Sequence, residues 1–154
     1  MGLAMAREAK APANEQGAQA CVVYASEEVH MSVPKALALL GVGRANLRLV
    51  AVDDHFRMRT DALQAAISED RRAGKRAIAI VASAGTINTG AIDPLGEIAA
   101  IARSNDLWLH VDGAYGALAA LAVPERLEGL ALADSISVDV HKWLYQPLDC
   151  SAVL

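Results

Sequence analysis

Runs of apolar residues with strand-like and helix-like periods take turns along this chain. Cys21-Val22-Val23-Tyr24 is short, apolar and partly β-branched, which predicts a strand. Ser32 and Pro34 then open a helical stretch with Val33, Leu37 and Leu40 on one stripe, closed by Gly41. Leu47–Val52 reads as the next strand. Asp61, with Gln64 three residues on, is the expected N-cap pair of a helix whose stripe holds Leu63, Ala66 and Ile67 and which ends near Gly74. Ala77–Ala82 (AIAIVA) is apolar on both faces, as a central parallel strand must be. Pro94 starts a helix over Leu95–Arg103 with Leu95, Ile98, Ala99 and Ala102 inward, and Leu107–Val111 and Ile136–Val138 complete the strands. Strands alternating with helices predict an α/β fold, a mostly parallel sheet with helices on both faces.

Both ends of this pattern look incomplete. MGLAMAREAK reads as the body of an amphipathic helix without a cap, followed by the linker-like APANEQG, and the last residues stop inside the apolar run Ser151–Leu154. The expectation is an internal piece of a longer chain.

Composition narrows the partners. With 154 residues, 54% hydrophobic and 21% charged, the chain can bury a real core as one domain. A net charge of -4, and no basic cluster beyond Arg71, Arg72, Lys75 and Arg76, argue against nucleic acid or an anionic membrane surface. No apolar run approaches the roughly 18 residues of a membrane span. Cys21 and Cys150 lie far apart without CxxC spacing, signal peptide or glycosylation acceptor, so a cytoplasmic location and no disulfide are expected. No metal is expected either.

The polar residues of interest lie just past the strands, where ligands bind in open α/β sheets. AIAIVA is followed by Ser83-Ala-Gly-Thr86, LWLHV by Asp112-Gly-Ala-Tyr115, and SISV by Asp139-Val-His-Lys142. The last is odd, because a histidine, a lysine and Trp143 follow a core strand with no helix start to explain them. A hydroxyl, a carboxylate and an amine therefore reach one sheet edge. A lysine and a carboxylate in one semi-buried pocket suit pyridoxal phosphate chemistry: the amine forms a Schiff base with the cofactor aldehyde, and the carboxylate keeps the pyridine nitrogen protonated. Taken alone, such a pair is more often a surface lysine and a turn-capping aspartate, and is a weak signal. Gly41-Val-Gly43 follows a helix and lacks a third glycine, so it reads as a helix C-cap and not as a dinucleotide fingerprint.

The wider string decides between these. His110-Val-Asp-Gly-Ala-Tyr-Gly116, Asp134-Ser-Ile-Ser-Val-Asp139 and His141-Lys-Trp-Leu-Tyr145, with Ser26-Glu-Glu-Val-His30, Gly85-Thr86, Thr89-Gly90 and Asp93-Pro94 upstream, resemble the group II pyridoxal-phosphate-dependent decarboxylases of the aromatic-L-amino-acid decarboxylase type. The resemblance implies the large domain of the fold type I pyridoxal-phosphate enzymes, present here in part over residues 1–154. The family's phosphate motif would precede Met1, and its mobile loop and small domain would follow Leu154. It implies decarboxylation of an L-amino acid to an amine and CO2, and a homodimer when full length. It also implies that the piece alone is inactive. By the same resemblance Lys142 carries the cofactor and Asp112 pairs with the ring nitrogen. His30 and Ala114 flank the ring, Thr86 lies near cofactor and substrate, and His141 approaches the phosphate.

The family usually has proline where Val140 stands, and a carboxylate at Asp139 is unfavourable beside a phosphate unless turned away or protonated. His55 and His110 read as a loop residue and a strand residue. Trp143, Leu144, Tyr145 and the two cysteines are expected to pack. An aminotransferase or carbon-carbon lyase of the same fold would use the same Lys142 and Asp112, and a non-catalytic truncated paralogue is the reading from another class. The DxHKWLY string favours the decarboxylase.

Overall fold

Strands β1 (Val22–Ser26), β2 (Leu47–Val50), β3 (Ala77–Ser83), β4 (Trp108–Asp112), β5 (Ser135–Asp139) and β6 (Ser151–Val153) form one sheet in the order 2-1-3-4-5-6 in the computed structural model, which describes residues 1–154. The first five are parallel, and β6 pairs antiparallel with β5. The helices are α1 (Gly2–Lys10), α2 (Ala13–Gln16), α3 (Ser32–Leu39), α4 (Thr60–Arg72), α5 (Leu95–Ser104) and α6 (Val140–Trp143). No helix is long and apolar enough to cross a membrane.

Side-chain alternation along the central strands divides the core in two. Val22 and Tyr24 of β1, Ile80 and Ala82 of β3, and Leu109 and Val111 of β4 face α4 and α5, which supply Leu63, Ile67, Leu95, Ile98 and Ala102. Val23 and Ala25 of β1 with Ala79 and Val81 of β3 face the other way, onto Leu3 and Ala6 of α1 and Val33 and Leu37 of α3. This is the expected doubly covered parallel sheet, and all four inward residues read for the Leu95 helix are buried. A buried ionic knot closes one edge of the α4 side: Tyr24 Oη donates to Asp70 Oδ2 (3.2 Å), and Lys75 Nζ meets Asp70 Oδ1 at 2.8 Å.

Several local expectations are corrected. Helix α4 begins at Thr60, so Asp61 lies inside the first turn. Its carboxylate is engaged by the Arg59 guanidinium and makes no cap bond, although an acid there still suits the positive end of the helix. Residues 140–143, read as having no helix start, form a helical turn. Asp139 occupies its N-cap position without capping, because its oxygens are taken by Lys142 and Ser151. Trp143, Leu144 and Tyr145 are 44%, 48% and 92% exposed. Only Trp143 makes an aromatic contact, edge-on to Tyr115 with centroids 6.0 Å apart. Both cysteines are free; Cys21 packs in the core as expected, whereas Cys150 is exposed.

One buried carboxylate ties the core to the sheet's carboxyl edge. Asp93, 3% exposed, accepts the amide protons of Met58 through Oδ1 and Ser83 through Oδ2, each at 2.7 Å. Burial pushes its carboxyl above the usual range, outweighing the pull of the two amides. Asp93→Ala leaves both N–H groups buried and unpaired. At about 1 to 3 kcal/mol each, the full-length protein should lose about 2 to 6 kcal/mol in urea unfolding. A loss under about 1 kcal/mol would show that the two amides find other partners.

Candidate active site

The strand order reverses direction between β1 and β3: from β1 the chain steps outward to β2, then returns past β1 to β3. A crevice forms at the carboxyl ends of such a pair, with no crossover to fill it. Here it widens into a cavity of about 450 Å³, within the range of small-molecule sites. Its polar lining includes His30 from the segment after β1, Ser83 and Thr86 from the end of β3, Asp112 from β4, and Ser137, Asp139 and Lys142 from β5 and α6. Ala114 also lines it. Five of the six residues singled out in the sequence thus meet in one place.

The register explains how Asp112 is held. Ser83, Asp112 and Ser137 are cross-strand partners on β3, β4 and β5. Asp112 Oδ1 accepts the Ala114 N–H at 3.1 Å and the Ser137 hydroxyl at 3.3 Å, which leaves Oδ2 without a protein donor. The loops that follow β3 and β4 touch through glycines. Gly85 has φ +89, and a Cβ on Gly116 would lie 2.3 Å from the Ala84 carbonyl oxygen, so only glycine permits this approach. Thr86 is buried; its Oγ1 lies 2.6 Å from Thr89 Oγ1 and accepts the Ala91 N–H at 3.2 Å, which shapes the turn beside the cavity.

His30 is exposed at the cavity mouth. The Ser32 N–H, which can only donate, points at its Nδ1 (3.3 Å), and Ser32 Oγ lies 2.9 Å from the same atom. In the neutral ring the proton is therefore on Nε2.

Lys142 Nζ pairs with Asp139 Oδ2 at 2.9 Å, and Asp139 Oδ1 accepts the Ser151 hydroxyl at 2.6 Å. Burial pushes the Asp139 carboxyl up, but Ser151, Lys142 and His141 outweigh it and hold the carboxyl below its usual value. His141 is the sixth residue singled out, and it does not line the cavity. Its Nδ1 lies 2.9 Å from the Cys150 carbonyl, and its Nε2 is 3.7 Å from Asp139 Oδ2.

Three residues were not anticipated here: Ser137 on Asp112, Asp139 on Lys142, and His110. The last is buried on the same face of β4 as Asp112, and its Nδ1 is 2.8 Å from Ser135 Oγ, which also accepts the Trp108 indole N–H at 2.9 Å. Burial holds the His110 imidazole below its usual value, with Asp112 pulling the other way. The missed signal is the period-2 spacing of 110/112 and 135/137/139, which puts those residues on one sheet face.

A half-buried, oriented carboxylate with one free oxygen and a lysine thus line one cavity of small-molecule size. Comparison with known proteins identifies the family. The family described as "Pyridoxal-dependent decarboxylase conserved domain" matches residues 3–154, and the chain belongs to it. An aromatic-L-amino-acid decarboxylase of Bacillus atrophaeus is 42% identical over 154 residues, covering 99% of this chain and 32% of the relative. An L-2,4-diaminobutyrate decarboxylase of Rhizobium meliloti is 42% identical over 137 residues, or 88% of this chain and 28% of the relative. The solved glutamate decarboxylase domain of a diaminobutyrate-pyruvate transaminase and L-2,4-diaminobutyrate decarboxylase from Vibrio parahaemolyticus superposes with a TM-score of 0.93 at 34% identity, over 99% of this chain and 36% of that one. The sheet is therefore that of the fold type I pyridoxal-dependent decarboxylases. The chain spans about a third of the length of the relatives it matches.

Proposed function

We propose that the full-length protein decarboxylates an L-amino acid to an amine and CO2 with pyridoxal 5'-phosphate, and that residues 1–154 are part of its cofactor-binding large domain. The observation that carries this reading is the convergence of Lys142, Asp112, His30, Thr86 and Ala114 on one cavity, in a chain of this family. When bound, the cofactor supplies an aldehyde for an amine and a pyridine ring that accepts electrons. Lys142 would hold its aldehyde carbon and Asp112 its ring nitrogen, while His30 and Ala114 would bound the two faces.

Asp112 serves in this role because Ala114 and Ser137 fix Oδ1, so that Oδ2 can keep a proton on a ring nitrogen without the carboxylate turning away. Thr86 presents its hydroxyl from a turn locked by Thr89 and Ala91. His141 reaches the cavity only by way of Asp139, so a phosphate contact from it would need its ring to leave Cys150.

A homodimer belongs to this reading, supported by the exposed apolar side chains Trp143, Tyr145 and Leu148 beside the lysine segment. So does a cytoplasmic location, supported by two free cysteines. The partner in this reading is a small amino-acid substrate, and the net charge of -4 speaks against nucleic acid or an anionic membrane surface.

The test is product analysis of the full-length protein against a panel of aromatic, acidic and diamino acids. The expected result is release of one amine and CO2 in equal amounts from a preferred amino acid. A keto acid in place of the amine, or no product from any member of the panel, overturns the reading.

A further inference from the structure

Lys142 lines the cavity together with several ionisable groups, yet its nearest anion is not Asp112. The partner is Asp139, three residues earlier and at the end of β5, with Oδ2 2.9 Å from Nζ. Both side chains are mostly buried, 28% exposed for the lysine and 19% for the aspartate, so water weakens the pair less than it would at a surface. Asp139 is itself fixed: Ser151 of β6 donates to its Oδ1 at 2.6 Å, and its backbone N–H reaches the Ala114 carbonyl at 3.3 Å. Asp139 is thus held by the segment after β4 through its backbone and by β6 through its carboxylate, with one oxygen on the lysine.

An amine adds to an aldehyde only as the neutral base. The nitrogen lone pair forms the new C–N bond, and the aldehyde oxygen then leaves as water. An ammonium must first give up its proton, and an adjacent carboxylate favours the ammonium.

From this we propose that Asp139 is a positioning residue that holds the Lys142 amine in an ion pair within the cavity and so limits how fast that lysine captures an aromatic aldehyde. The inference rests on the reading of Lys142 as the cofactor lysine. Other charged or titratable groups at the cavity are Asp112 and His110 on β4 and Glu28 and His30 after β1; His141 on α6 flanks Asp139. Among the acids, only Asp139 lies within ion-pair distance of Nζ.

The experiment measures the rate at which cofactor-stripped full-length protein forms a borohydride-reducible adduct at Lys142, mapped by peptide mass, as a function of pH. Pyridoxal and pyridoxal phosphate serve as separate probes. In Asp139→Asn the rate near neutral pH should rise about tenfold with both aldehydes, and the pH profile should move to lower pH and meet the wild type at alkaline pH. Asp139→Glu, which keeps the charge, should restore the wild-type profile. Ser151→Ala disturbs the same β5–β6 contact but leaves the carboxylate in place, and should also keep it. An acceleration confined to pyridoxal phosphate would mean that Asp139 acts by repelling the phosphate, and would overturn the proposal. Equal shifts in Ser151→Ala and Asp139→Asn would overturn it as well, by tracing the effect to the strand contact. If the wild-type label maps to another lysine, the underlying reading of Lys142 fails instead, whatever the variants do.

Discussion

Lys142→Ala in the full-length protein should abolish the borohydride-trapped cofactor adduct and lower amine production by more than about 10³-fold. The chain has four lysines, and the structure separates them cleanly. Lys10 pairs with Asp106 and Lys75 with Asp70, both away from the cavity, while Lys35 lies against the Met31 sulfur. Only Lys142 lines the site, on the helical turn that follows β5. No other lysine of the chain is placed to take over, so the loss should be near complete. An unchanged adduct in the variant, or a wild-type adduct on Lys10, Lys35 or Lys75, would remove Lys142 from the mechanism.

The sheet was legible in the sequence because its strands carry their own signal. AIAIVA is apolar on both faces, and a strand of that kind is buried only when helices cover both sides. The outermost strand was harder: Ser151–Val153 showed its apolar run but not its direction. Its antiparallel pairing follows from a link to β5 made of one helical turn and a short loop, too short for a parallel crossover.

The cavity lining was legible where a polar residue follows a core strand, as at Asp112 and Lys142. It was not legible where a residue acts through a neighbour. The Ser137 and Asp139 contacts depend on register and on side-chain direction at a strand end, and a linear string does not show which carboxylate a lysine will choose. The helical turn carrying Lys142 was hidden for a related reason. A four-residue helix has no room for a periodic stripe, and the Asp139 side chain that ordinarily announces a cap is bound elsewhere.

Asp112→Asn is the sharper test of the electrostatic half of this reading, with an expected fall in kcat of about 10² to 10³-fold in the full-length protein. The substitution keeps the size of the side chain. An amide oxygen in the place of Oδ1 can still accept from the Ala114 N–H and the Ser137 hydroxyl, so the local fold should persist. What disappears is the negative charge on the free oxygen, which alone makes it favourable to keep a proton on a ring nitrogen. Ser137→Ala makes the opposite change, removing one donor to Oδ1 while the charge stays, and should cost about tenfold or less. If the two variants fall equally, the orientation of the carboxylate matters and its charge does not. If Asp112→Asn retains near-normal kcat with full cofactor content, the carboxylate holds no catalytic proton at all.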